Sequence, residues 1–322
     1  MESKGLGIIG GMGPKATSVF FDSIVENTDA KKDQDHINMV ILNHATLPDR
    51  TDAILNGKDE LFLDSIRNDI ELLEKAGVSN IAIPCNTSHY FYDKIQGMTD
   101  INIINMVEET IKEIYERYGK NAKIGVMATN GTIKSDVYKK VCQQYGLQLY
   151  YPDTIIQEQV MDIIYNKVKS DLKVDSNEIK DIVFDFIFKH ECSCVILACT
   201  ELSCINLNDD VAKYCVDAMK VLVKKSIELS GKHMENHTLD EFLSESFAND
   251  QFVRELRLSK EELEYAKKKY PNASFKIIST EEDRNEKCWC EINLLPLSNV
   301  EKTLLEENEV EDREQRKQKL EV

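Results

Sequence analysis

The sequence predicts an α/β protein of two similar lobes, with a small α+β segment added at the C-terminus. Each lobe is expected to hold a mostly parallel sheet flanked by helices, with a cleft between the lobes. Three observations lead there. Short apolar runs alternate with amphipathic stretches of helical period up to about residue 230, the pattern of βα units and parallel sheets. A strand-turn-helix opens each half, at 6–14 and 123–133, and a strand with a Cys-Thr-containing turn closes each half, at 81–89 and 194–203. Composition then changes at Gly231, beyond which the chain is highly charged.

The elements run in order along the chain. Leu6-Gly7-Ile8-Ile9 reads as a strand, and Gly10-Gly11-Met12-Gly13-Pro14 turns it into a helix ending near Asn27. Met39-Val40-Ile41-Leu42 is a second strand. A helix over 58–76 places Leu61, Ile66, Ile70 and Leu73 on one face and stops at Gly77, a good residue just past a helix end. Ile81-Ala82-Ile83 is a buried strand, followed by Pro84 and a helix beginning near Thr87. Ile101 to Ile104 forms a strand and 106–118 a helix. The second half repeats the pattern: a strand at 123–127, a turn at 129–132, a helix to about Tyr145 and a strand at 147–150. Helices at 153–168 and 177–189 lead to the strand Cys194–Ala198, a turn at Thr200–Ser203 and one long helix over 208–229. The lobes are expected at 1–105 with 206–230, and at 106–205. Residues 231–300 read as an appended, helix-rich domain with strands at 274–278 and around 288–292, and 301–322 as a charged helical or disordered tail.

Bulk properties exclude several classes. The 322 residues carry a net charge of −17, which argues against a nucleic-acid partner, since phosphate needs clustered Lys and Arg. No apolar run approaches the ~20 residues that cross a bilayer. The N-terminus lacks a basic region followed by an apolar one, so no signal peptide is expected and a cytoplasmic location is. Nine cysteines at irregular spacing suggest no disulfide framework. The Cys192/Cys194 and Cys288/Cys290 pairs are closer than usual zinc spacing, so no metal site is expected.

Ligands of open parallel sheets bind beyond the carboxyl ends of the strands. Cys85 and Cys199 both stand there, in Pro84-Cys85-Asn86-Thr87-Ser88-His89 and Ala198-Cys199-Thr200-Glu201-Leu202. A thiol at a helix start meets free N–H groups and the positive end of the dipole, which lower its pKa. The same N–H groups can hold a carboxylate. Either cysteine alone reads as a small buried residue. Two in matched contexts, one per lobe, read as a site.

These segments resemble the aspartate/glutamate racemase superfamily, on its aspartate racemase branch. The matching residues are Gly7-Ile8-Ile9-Gly10-Gly11-Met12-Gly13-Pro14, Leu47-Pro48-Asp49-Arg50-Thr51, Pro84 to His89, and Cys199-Thr200-Glu201, within about 1–230. Glutamate racemases are less similar, usually having an Asp-Ser turn and a His where this chain has Met12 and Glu201. The resemblance implies a racemase acting on an acidic amino acid, aspartate or glutamate, without pyridoxal phosphate or any other cofactor. Cys85 and Cys199 would be the two bases on opposite faces of the α-carbon. Asn86, Thr87, Ser88 and Thr200 would bind the α-carboxylate, and Arg50 a carboxylate through its fork. Lys169 resembles the family's second-lobe lysine, with Lys167 close by. Met12 and the glycine turn would floor the cleft, and His89 would orient or support. A homodimer is the family's expectation. Ala198 stands where the family commonly has Gly, and its methyl could crowd the site. The last ~90 residues match nothing associated with the family core.

Three alternatives stay open. The glycine turn could bind a nucleotide, but Gly7-x-x-Gly10-Gly11-x-Gly13 is not the dinucleotide fingerprint. Another isomerase or a decarboxylase of the superfamily would use the cysteines differently. A non-enzymatic binding protein could reuse the scaffold.

Overall fold

The computed structural model describes residues 4–170, 174–234, 239–247, 252–279 and 287–294. Two compact units divide the chain, Met1–Glu235 and Asn236–Val322.

The first unit holds two parallel four-stranded sheets. One contains β1 (Leu6–Gly10), β2 (Met39–Asn43), β3 (Asn80–Ala82) and β4 (Asn102–Ile103), in the spatial order β2-β1-β3-β4. The other contains β5 (Lys123–Met127), β6 (Gln148–Tyr150), β7 (Cys194–Leu197) and β8 (Cys215–Asp217), in the order β6-β5-β7-β8. The order is the same with each number raised by four, so the lobes share one topology.

Their strands are apolar on both faces, as buried parallel strands are. Ile8, Val126 and Ile196 face a central core, while Ile9, Met127 and Leu197 face outward cores of their own lobes. The central core also takes residues from helices Pro14–Asn27, Met106–Tyr118, Val137–Tyr145 and Ala218–Leu229. Helix Asp59–Ala76 covers the outer face of the first sheet, and helices Thr154–Asp162 and Ser176–Phe184 cover that of the second. Glycine recurs where side chains of these outer layers press on the sheets. A Cβ at Gly7 would lie 2.8 Å from Leu73 Cδ1, and one at Gly125 2.5 Å from Phe186 Cδ1.

Several elements differ from the expectation. The apolar face of Asp59–Ala76 runs through Phe62, Ile66, Ile70 and Leu73, whereas Leu61 is 61% exposed. Both phases fit a short helical window, and the larger aromatic takes the core. The long helix expected over 208–229 is broken. It gives a short turn at Asp209–Ala212, then β8, then helix Ala218–Leu229. Val216 is buried and the Tyr214 carbonyl accepts from the Val195 amide, so pairing with β7 overrides helical propensity. Asp217 then caps the last helix, accepting from the amides of Met219 and Lys220. The second sheet therefore extends to residue 217 rather than ending before 206. The helices expected at 153–168 and 177–189 each close in a wider π turn, at Ile163–Val168 and Asp185–Lys189.

The second unit is an antiparallel sheet with helices. Its strands are β9 (Val253–Ser259), β10 (Ser274–Ser279) and β11 (Lys287–Asn293), with β11 in the middle. Leu256, Leu258, Cys290 and Ile292 pack with Leu243 and with Leu263 and Ala266 of helix Lys260–Lys269. The strand β9 lies in a stretch whose charge and composition predict helix. The tail expected at 301–322 lies outside the described residues.

Candidate active site

The carboxyl ends of β1, β3, β5 and β7 deliver one residue each to a single cleft. Met12 follows β1, Cys85 follows β3, Thr129 follows β5 and Cys199 follows β7. Because β3 and β7 hold the same place in their sheets, the two thiols occur at equivalent points of the repeat. Arg50, Asn86, Thr87, Lys169 and Thr200 line the same cleft. Its cavity volume is about 10 Å³, room for about one water.

Local structure explains each placement. Asp49 caps helix Arg50–Asn56 by accepting from the Asp52 amide at 2.8 Å. That fixes Arg50 in the first turn, 8% exposed. Its Nη1 donates to the Pro48 carbonyl at 3.0 Å, and its Nε has no partner. Among the described residues no ion pair to Arg50 is formed. A buried guanidinium held by backbone carbonyls, with donors to spare, suits a carboxylate.

After Cys85 the chain makes a tight turn, Thr87–Phe91. Asn86 Oδ1 accepts from Tyr138 of the second lobe, leaving its buried Nδ2 unpartnered. The Thr87 hydroxyl meets those of Thr129 and Thr132 at 3.0 and 2.9 Å. Ser88 departs from expectation. It does not line the cleft, because its hydroxyl folds back to donate to the Cys85 carbonyl at 2.9 Å. His89 is buried and supports the same turn. The Met106 amide donates to its Nε2 at 3.1 Å, so the proton sits on Nδ1, which donates to the Cys85 carbonyl at 2.9 Å. Burial pushes its pKa down, and it is held as a neutral brace.

Lys169 ends the π turn Ile163–Val168, with its ammonium 4.3 Å from the centre of the Tyr165 ring. The neighbouring Lys167 turns away to pair with Glu178 and Asp162. Ala198 is fully buried in the central core and does not line the cleft, so its methyl does not crowd the site.

A model of the Asp/Glu/hydantoin racemase family matches residues 9–226. The chain belongs to this family. It is an isomerase of the amino-acid racemase type. The broad specificity amino-acid racemase RacX of Bacillus subtilis is 30% identical over 226 residues, 69% of this chain and 96% of that relative. Picrophilus torridus aspartate racemase superposes with a TM-score of 0.64 at 30% identity, over 73% of this chain and 97% of that one. An aspartate racemase homologue from Pyrococcus horikoshii shares the fold, with a TM-score of 0.58 at 23% identity, over 71% and 99% of the chains.

This racemase carries a charged cluster beside Cys199. Glu201, 5% exposed, accepts from the Cys199 thiol at 2.9 Å and lies 3.7 Å from the Lys169 ammonium. Burial first, then the Glu201 carboxylate, push the Cys199 thiol well above the ordinary thiol range. The expectation of a lowered value for a thiol at a helix start is thus overturned for Cys199. The helical element after it is only the three-residue turn Leu202–Cys204, with little dipole, and a buried carboxylate sits against the sulfur. Burial pulls the Lys169 ammonium down, but Glu201, Tyr165 and Cys199 outweigh it and hold the ammonium charged. Asp49, Thr51, Thr129 and Tyr165 also line the cleft. Thr129 is legible as the second-lobe counterpart of Met12, two residues past the matching strand. Glu201 is legible as an acid two residues from a cysteine. Thr51 enters the sequence reading only as the end of the Leu47–Thr51 match, and Tyr165 carries no such signal.

No metal site is expected from the sequence. Among the described residues, no group of three or more His, Cys, Asp or Glu side chains is placed to hold a metal ion. No helix among them is long and apolar enough to cross a membrane.

Proposed function

We propose that this racemase interconverts the L and D forms of an acidic amino acid, aspartate foremost, by proton transfer between Cys85 and Cys199. The observation that carries the reading is the topological equivalence of the two thiols at the rim of one cleft. Inversion needs a proton removed from one face of the α-carbon and another delivered to the opposite face. Two bases do this without turning the intermediate. One cysteine acts as thiolate and the other as thiol, and the roles exchange with the hand of the substrate.

The α-proton is less acidic than a thiol by roughly twenty pKa units in water, and orientation and charge stabilisation must cover the gap. Arg50 binds a substrate carboxylate through its free donors. Asn86 Nδ2, Thr87 and Thr200 serve the α-carboxylate from the turns after the cysteines. The partly enclosed cleft strengthens these interactions by excluding water. Pyridoxal phosphate has no step in this scheme. The enzyme works as a homodimer in the cytoplasm.

A second reading, broader specificity, has its own support. Glu201 already balances Lys169, so Arg50 is the cleft cation without a carboxylate partner among the described residues. One uncompensated cation selects for a second substrate carboxylate less strongly than two. Chiral product analysis over a panel of amino acids tests both readings. Racemisation confined to aspartate and glutamate supports the first, and racemisation of neutral amino acids at similar kcat/KM supports the second. No racemisation of any amino acid overturns both.

A further inference from the structure

Glu201 is a buried carboxylate that the two-thiol scheme does not use. Its Oε2 receives the Cys199 thiol at 2.9 Å. Its Oε1 is buried and has no hydrogen-bond partner. That oxygen would lie 3.2 Å from a Cβ placed on Gly13, so the glycine leaves room for it at the cleft floor. We propose that Glu201 is a positioning residue that parks the proton of the cysteine pair on Cys199, so that the free enzyme begins with Cys85 as its base. This rests on the two-thiol reading above.

The geometry supports it in two ways. A thiol proton directed at a carboxylate is held by a charge-assisted bond. Removing that proton would leave thiolate and carboxylate side by side with little water. The other charged and titratable groups around Cys199 are few. Lys169 and Tyr165 approach from the π turn, Tyr138 from its helix, Cys204 from the turn after Glu201, and Arg50, Asp49 and Cys85 from the first lobe. Lys169 is the cation nearest Glu201, at 3.7 Å, and it offsets only part of the repulsion.

The consequence is a definite order of events. For the substrate hand that presents its α-hydrogen to Cys85, the Cys85 thiolate takes that proton and forms S–H. The Cys199 S–H bond breaks and its proton goes to the opposite face of the carbon. Cys199 is left as a thiolate beside Glu201, with Lys169 as counter-ion. Such a thiolate is a strong base, suited to the return reaction. Cys85 then releases its proton to water and Cys199 takes one up. Because the two enantiomers have equal free energy, kcat/KM is equal in both directions at every pH. The asymmetry must therefore be read on the thiols themselves.

The test is site-resolved alkylation of the full-length enzyme with iodoacetamide across a pH series, with each cysteine peptide quantified by mass spectrometry. In the wild-type enzyme the rate at Cys85 should reach its midpoint at lower pH than the rate at Cys199. Glu201→Gln keeps the shape and removes the charge, and should lower the Cys199 midpoint by ~1 pH unit or more. A Cys199 midpoint at or below that of Cys85 in the wild type, or one unmoved by Glu201→Gln, overturns the proposal. If the variant does not fold, the wild-type order decides alone. The measurement needs no turnover, so ordered thiols in an enzyme that racemises nothing would sink the two-thiol reading and leave only the hold of Glu201 on the Cys199 proton, whereas unordered thiols in an active racemase would sink this proposal alone.

Discussion

Thr200 donates its hydroxyl to the carbonyl of Pro84 at 3.2 Å, across 116 positions of sequence. Pro84 immediately precedes Cys85, and Thr200 immediately follows Cys199. One hydrogen bond thus ties the two cysteine turns together across the lobes. Thr200→Val keeps the side-chain shape and removes the donor. Loss of a buried hydrogen bond costs about 1 kcal/mol, and the misplacement of the thiols adds to it. We expect kcat/KM to fall about tenfold or more, read by steady-state racemisation. Unchanged kcat/KM would mean that this contact does not set the spacing of the cysteines.

Arg50 offers a second test. Its guanidinium is buried without a carboxylate partner among the described residues, so Arg50→Lys breaks no ion pair in the resting protein. It does remove the planar fork. The KM for aspartate should rise roughly tenfold or more, with little change in Tm. Titration of KM in the variant against the wild type checks this, and an unaltered KM would remove Arg50 from the binding site.

Gly131 marks a close approach of the lobes beside the cleft. A Cβ there would lie 2.8 Å from Thr51 Oγ1 and 2.9 Å from Thr51 Cα. The backbone atom cannot rotate away. Gly131→Ala should therefore hold the cleft ajar at a cost of about 1–3 kcal/mol. Raised KM together with a lower Tm is the expected signature. A variant with wild-type KM would show that closure tolerates the methyl group.

Alkaline pH should weaken the fold. Burial pushes Cys192 and Cys204 up to about 11, and Cys142, Cys194 and Cys215 up to about 12. Thiols in the unfolded chain ionise near ~8.5. Below that pH both states keep their protons and the stabilisation is complete. Above it the unfolded chain loses protons that the folded chain retains, so stability drains away up to the folded values. The urea midpoint should fall between about pH 8 and pH 10, and Cys142→Ala should make the fall shallower. A midpoint that holds steady over that range contradicts the burial of these thiols.

Much of the fold is legible in local pattern. Helix Met106–Tyr118 has strong periodicity, with Asn105 capping it through the Glu108 amide, and strands β1, β2 and β5 are short continuous apolar runs with clear ends. The features that escape such a reading depend on distant partners. β8 is three residues long and exists because β7 lies beside it, which no window over 208–229 displays. Leu61 and Phe62 are adjacent, and only the packed core chooses between them. In the site, Cys85 and Cys199 are visible through repeated context. Ser88 misleads because a hydroxyl beside a carbonyl three residues back satisfies itself locally. Glu201 is visible in sequence as an acid two residues after Cys199, but its partners are not, because the fold alone brings Lys169 to it.

In the proposed reaction Cys85 and Cys199 are the two bases of one inversion. The most direct measurement tracks α-proton exchange and chirality together, with single enantiomers of aspartate in deuterium oxide, for the wild type, Cys85→Ser and Cys199→Ser. The wild type should racemise with α-deuterium incorporation. Each variant should lose racemisation by about 100-fold or more, with any surviving exchange confined to one enantiomer, and to opposite enantiomers in the two variants. Full racemisation by either variant would contradict the two-base assignment.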